Sequence, residues 1–191
     1  SWASMASLPS AAYGGASLVY LNGAIYAVKG SNSTTFWKYN IATNSWTTLA
    51  TTPSPIEWGG SLTTDGTDIY ATKGLSTTTF WKYTVSTNTW SALATTPGAI
   101  SAGGSLSFDG VSVIALQGGN QNNYYKYDIT ANTWSTLSPV PSPVFKGGAL
   151  VSDGQNSYAL KGNASANLWK NDGTAWASLT NTPATVDSGG A

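Results

Sequence analysis

The side chains that could carry acid–base or nucleophilic chemistry are few: seven Asp, one Glu, eight Lys and ten Tyr, with no His, Cys or Arg. Without imidazole or thiol there is no Ser–His–Asp or Cys–His nucleophile, no imidazole metal site, no zinc finger and no disulfide. Glycoside hydrolysis needs two carboxylates of divergent pKa across a cleft. Asp65, Asp109 and Asp153 each precede a glycine and read as hairpin turns. Asp68, Asp128, Asp172 and Asp187 fall at strand edges or turns, and Glu57 stands alone. Calcium binding by clustered Asp would show a D-x-D-x-D spacing, which never occurs; Asp65 with Asp68 is only a partial match. The expectation is no catalytic residue, no metal site and no cofactor.

The remaining composition bounds the class. The net charge is zero and no basic stretch occurs, so nothing draws a phosphate backbone, and nucleic acid is not expected as a partner. Nine Trp and ten Tyr among Ser, Thr, Gly, Asn and Ala argue against disorder. No apolar run approaches the ~20 residues of a membrane-spanning helix, so membrane insertion is not expected. Low charge, Ser/Thr richness and the sequons at Asn32 and Asn163 fit an extracellular, cell-surface or virion setting. The chain opens on Ser1 without a signal-like segment, as a mature or excised stretch would.

The elements that must position any site follow from an internal repeat. Trp2, Trp46, Trp90, Trp134 and Trp176 are spaced 44, 44, 44 and 42 residues apart, and a proline follows each by seven residues. A glycine pair follows at 14–15, 59–60, 103–104, 147–148 and 189–190. The repeats run over 2–45, 46–89, 90–133 and 134–175, with a partial fifth at 176–191. Each reads as four short strands. The first ends at Asn22-Gly23, Asp65-Gly66, Asp109-Gly110 or Asp153-Gly154, dipeptides that accept the positive φ of a hairpin turn. The second carries a small residue at Ala27, Ala71, Ala115 or Ala159. The third is aromatic, as in Phe36-Trp37-Lys38-Tyr39, and the fourth holds the phase-setting Trp. Because both ends share one phase, seventeen strands are expected rather than sixteen.

Four antiparallel strands per ~44 residues, with no helical periodicity, describe a propeller blade. The pattern resembles the kelch repeat family: an apolar strand ending in glycine, an aromatic-Tyr strand, a Thr-Asn-x-Trp step, then Leu and Pro. It departs at the family's double glycine, which is Lys-Gly at 29–30, 73–74 and 161–162 and is kept only at Gly118-Gly119. The expected fold is an all-β propeller of four kelch-like blades. It closes alone, joins a second copy as half of an eight-bladed ring, or belongs to a longer array. Among enzymes with such propellers, copper radical oxidases need His ligands and a Cys-linked Tyr, and sialidase-type sites rely on Arg, none of which this chain has.

Binding is therefore expected in the loops. Positions constant across the repeats read as fold, and those that vary at one phase read as candidate contacts. Tyr13, Glu57, Trp58, Phe145 and Lys146, just before the glycine pairs, are the first group. Gln117 with Asn120, Gln121, Asn122 and Asn123 forms an amide-rich patch suited to sugar hydroxyls. Lys29, Lys73 and Lys161 recur in phase and could ring one end of the channel to hold an anion. The leading expectation is a non-catalytic module for protein contact, self-association or assembly, and the alternative is a carbohydrate-binding propeller.

Overall fold

The structure, a computed structural model, describes residues 3–188. Trp2 and the glycine pair 189–190 lie outside the described residues. Among the described residues, sixteen strands form four antiparallel sheets, each built from four consecutive strands. The first sheet comprises β1 (Ser17–Leu21), β2 (Ala24–Val28), β3 (Phe36–Asn40) and β4 (Ser45–Thr48). The second comprises β5 (Ser61–Thr64), β6 (Ile69–Thr72), β7 (Phe80–Thr84) and β8 (Thr89–Ala92). The third holds β9 (Ser105–Phe108), β10 (Val113–Leu116), β11 (Tyr124–Asp128) and β12 (Thr133–Leu137). The fourth holds β13 (Ala149–Ser152), β14 (Ser157–Leu160), β15 (Leu168–Asn171) and β16 (Trp176–Ser178). No helix occurs among the described residues. The sheets stand around one axis with their first strands innermost, as the blades of a four-bladed β-propeller.

The expected seventeenth strand centres on Trp2, which lies outside the described residues. Residues 3–15 contain no strand and run instead as a tail beside blade 1, where Trp46 Nε1 donates to the Ala6 carbonyl at 3.0 Å. Equivalent bonds join Trp90 to Ala50 at 3.0 Å, Trp134 to Ala94 at 2.9 Å and Trp176 to Ser138 at 3.1 Å. Trp90, Trp134 and Trp176 thus tie their blades to the stretch that follows the preceding blade, and Trp46 ties blade 1 to residues 3–12 at the same phase. Residues 3–12 act as such a tail, and among the described residues no blade precedes them.

A two-residue hairpin turn forms as predicted at Asn22-Gly23, where both residues have positive φ. At Asp65-Gly66, Asp109-Gly110 and Asp153-Gly154 the expectation is corrected, because each Asp opens a four-residue loop in which only the glycine has positive φ and the carboxylate caps the turn. Asp65 Oδ1 accepts from the backbone amides of Thr67 and Asp68, each at 2.8 Å, and Oδ2 accepts from the Tyr70 hydroxyl at 2.9 Å. Asp153 accepts from Gln155, Asn156 and the Tyr158 hydroxyl in the same way. The hydrogen bonds from Asn156, reinforced by Gln155, hold the Asp153 carboxyl well below the usual carboxylate range. Asp172, bound by the hydroxyl and amide of Thr174, is lowered to about 2.

Packing explains the mid-strand alanines. Ala71, Ala115 and Ala159 are fully buried, each within the apolar layer between its blade and the one before. The layer between blades 1 and 2 joins Tyr26, Val28 and Phe36 to Leu62, Ile69, Ala71 and Trp81. Phe36 meets Tyr83 edge-on at 4.9 Å and Trp90 at 5.1 Å, the arrangement favoured by aromatic quadrupoles. Hydrogen bonds run between the innermost strands too: the amides of Leu62, Leu106 and Leu150 donate to Ser17, Ser61 and Ser105 of the preceding blade. β1 packs along β5, β5 along β9 and β9 along β13, but no such packing joins β13 back to β1.

Candidate functional site

The loops entering the four innermost strands converge on the axis and line an open cavity of about 480 Å³. Its walls are mainly backbone: Gly14, Gly15, Gly59, Gly60, Gly103, Gly104, Gly147 and Gly148 all line it. The close fit of the loops imposes this. Gly15 has φ +83, and a Cβ there would collide with the carbonyl of Glu57; Gly59, Gly103 and Gly147 meet the next loop in the same way.

Hydrogen bonds correct the register read from the sequence. The Tyr13 carbonyl accepts from the Ala16 amide, as Glu57 accepts from Gly60, Ser101 from Gly104 and Phe145 from Gly148. The counterpart of Gly59-Gly60 is therefore Gly15-Ala16, not Gly14-Gly15, and Tyr13 corresponds to Glu57 rather than Trp58. Gly14 corresponds to Trp58, Ala102, Lys146 and Ser188, and all five of these residues line the axial cavity. The signal was present in the sequence: Gly15, Gly59, Gly103 and Gly147 each stand thirteen residues after a phase-setting Trp.

This register explains how the rim is built. The Trp58 ring lies 2.6 Å from where a Gly14 side chain would begin, so Gly14 makes room for it. Lys146 reaches from blade 4 toward the Trp58 ring, its Nζ 5.9 Å from the centroid, and lies 5.8 Å from the Phe145 ring. These are cation–π distances. Tyr13 is 62% exposed and Trp58 50% exposed. Tyr13, Trp58 and Lys146 are thus brought together at one mouth. Phe145 joins them through Lys146, and the Glu57 backbone, bonded to Lys73 and Gly60, fixes the loop that carries Trp58.

The other candidates lie elsewhere. Lys29, Lys73 and Lys161 are half-buried and do not line the axial cavity; their carbonyls accept from Tyr13, Glu57 and Phe145. Gln117 is held inside the third blade, its Oε1 accepting from Asn123 at 2.6 Å and from the Tyr125 hydroxyl at 2.8 Å. Asn120 and Gln121 are exposed, and Asn122 is half-buried with its carbonyl accepting from Val140. Among the described residues, no three of His, Cys, Asp and Glu gather as a metal site would require. The ion pairs Lys82–Asp68 at 3.3 Å and Lys126–Asp109 at 3.5 Å lie on the blades.

No family model and no curated protein matches the chain. Solved structures do, among them YjhT, which superimposes with a TM-score of 0.77 at 16% identity over 94% of this chain and 68% of that one. At that identity the likeness establishes the β-propeller fold.

Proposed function

We propose that the chain is a non-catalytic, kelch-like propeller that engages a protein partner through its axial mouth. The observation that carries this reading is Trp58, half exposed beside Tyr13 at the rim of a cavity walled by glycine backbone. Every phase-setting Trp among the described residues is tied to a tail by its indole nitrogen. Trp58 instead presents its ring to solvent, and partly buried aromatics of this kind are the usual anchors of protein interfaces. The low charge, with sequons on the exposed loop residues Asn32 and Asn163, supports a secreted, cell-surface or virion setting.

A carbohydrate-binding reading is favoured by the same aromatic face over an open cavity. It is the weaker of the two because none of the amide-rich patch lines the cavity beside Trp58, and Gln117 within that patch already serves Asn123 and Tyr125. Peptides selected from a display library against the chain, tested beside a glycan array, separate the readings. Trp58→Ala is expected to weaken peptide binding about 10–100-fold while leaving thermal stability near that of the parent chain. Binders indifferent to Trp58→Ala, or Trp58-dependent glycan binding without peptide binding, would defeat the protein-contact reading.

A further inference from the structure

The three interblade layers are copies of one interface. One blade presents Leu62, Ala71 and Trp81, or their counterparts; the preceding blade presents Tyr26, Val28 and Phe36, or theirs. Each half of this interface is also left open once. On blade 1, Leu18 is 68% exposed, although Leu62, Leu106 and Leu150 at its phase are all buried. A cavity of about 630 Å³ lies there, lined by Leu8, Leu18, Ile25, Ala27, Trp37 and Trp46. On blade 4, Val151 is 59% exposed where Thr63 and Ser107 are buried. A cavity of about 330 Å³, lined chiefly by Val151, Tyr158, Leu160 and Leu168, opens beside it.

We propose that these faces are the two halves of a fourth interface, formed between copies of the chain by blade 4 of one packing on blade 1 of another. The occupant follows from the repeat. The face that fits blade 1 is the outward face of a preceding blade, and blade 4 carries such a face unpaired. Contacts of this head-to-tail kind close a ring where the rotation allows and otherwise extend into chains. The proposal does not depend on what binds at the axial mouth.

Two features set its strength. Ala149 stands at the phase of Ser17, Ser61 and Ser105, so the intermolecular contact lacks the hydroxyl that accepts from the next blade's leucine amide. In addition, two tails claim one place. Thr180 has the phase of Ala6, Ala50 and Ala94, so its carbonyl would accept from Trp46 of the incoming copy, where Ala6 now does. The C-terminal tail is held to its own blade by Leu179, Thr182 and Val186, whose amides donate to Leu168, Ala166 and Ser165. Among the described residues no blade precedes the N-terminal tail to hold it, and Leu8 remains exposed. It is residues 3–12 that must leave.

Sedimentation velocity of the full chain over a concentration series tests this. The expected result is concentration-dependent association, weakened about tenfold or more by Leu18→Asp or by Val151→Asp. Deletion of residues 1–12 is expected to tighten it about tenfold by removing the competing tail. Both Asp variants place a charge on an already exposed position, and circular dichroism checks that they fold. A full chain that stays monomeric overturns the proposal and assigns the open faces to blades of some other origin. Association indifferent to both Asp variants overturns it as well, by placing the contact on another surface.

Discussion

Asn88 is the most informative single position for testing how a blade is held. Its backbone lies in the left-handed region at φ 55, and its side-chain oxygen accepts two hydrogen bonds. One comes from the Tyr83 hydroxyl at 2.8 Å and the other from the Ala50 amide at 2.9 Å. The Trp90 indole completes the clamp on the Ala50 carbonyl. Asn44 and Asn132 do the same for Tyr39 with Ala6 and for Tyr127 with Ala94. Asn88→Gly keeps the backbone conformation and removes the acceptor. The Tyr83 ring is buried, so its hydroxyl loses a partner at a cost of about 1–3 kcal/mol, and the Ala50 amide, with water near, loses about 0.5–1 kcal/mol. Asn88→Ala adds about 1–2 kcal/mol for an ordinary side chain at positive φ. Asn88→Asp retains the acceptor and tolerates the conformation, so most of the stability should return. Urea unfolding of the three variants, with Tyr83→Phe to complete a double-mutant cycle against Asn88→Gly, measures each part. Stability of Asn88→Gly within about 0.5 kcal/mol of the parent, or a coupling to Tyr83→Phe near zero, would refute the clamp. Blade 4 makes the same point within the chain. Asn171 replaces the tyrosine, no asparagine stands two residues before Trp176, and the two partners are lost together.

Two glycines of similar φ should respond differently to alanine. Gly74→Ala puts a Cβ within 2.5–2.7 Å of the backbone at Trp58, Gly60 and Glu57, so it should shift the axial loop, cost about 3 kcal/mol or more, and disturb binding at the mouth. Gly66→Ala meets nothing within 4 Å and should cost about 1–2 kcal/mol from conformation alone; equal losses on urea unfolding would contradict this. Burial raises the Tyr83 and Tyr124 hydroxyls to about 12 from an ordinary value of 10.0. Because the folded pKa lies above the unfolded one, their contribution to stability is full below pH 10 and is lost as pH rises toward 12. Absorbance at 295 nm should show these two tyrosines ionising late in the native chain and near 10 in denaturant. Coincident native and denatured curves would contradict their burial.

The sequence by itself determined the blades. Alternation over short strands, Asn-Gly and Asp-Gly turns, and a tryptophan returning at a fixed interval are local signals, and each acts through neighbours a few residues away. They gave sixteen of the expected strands and the turn roles of Asp65 and Asp153. The chemistry open to the chain was likewise bounded by its lack of His, Cys and Arg. The tertiary structure decided what depends on how one blade meets the next. The segment around residues 3–12 has the composition of a repeat tail, and in the structure it forms no strand and lies beside blade 1, bonded to Trp46. Gly14 resembles the other doublets by type, but hydrogen bonds place it opposite Trp58, since register is set across the loop rather than along it. Gln117 looked available as an amide and is occupied by Tyr125 from the adjoining strand. Leu18 and Leu62 are the same residue at the same phase. Only the presence of a preceding blade buries one and leaves the other in water.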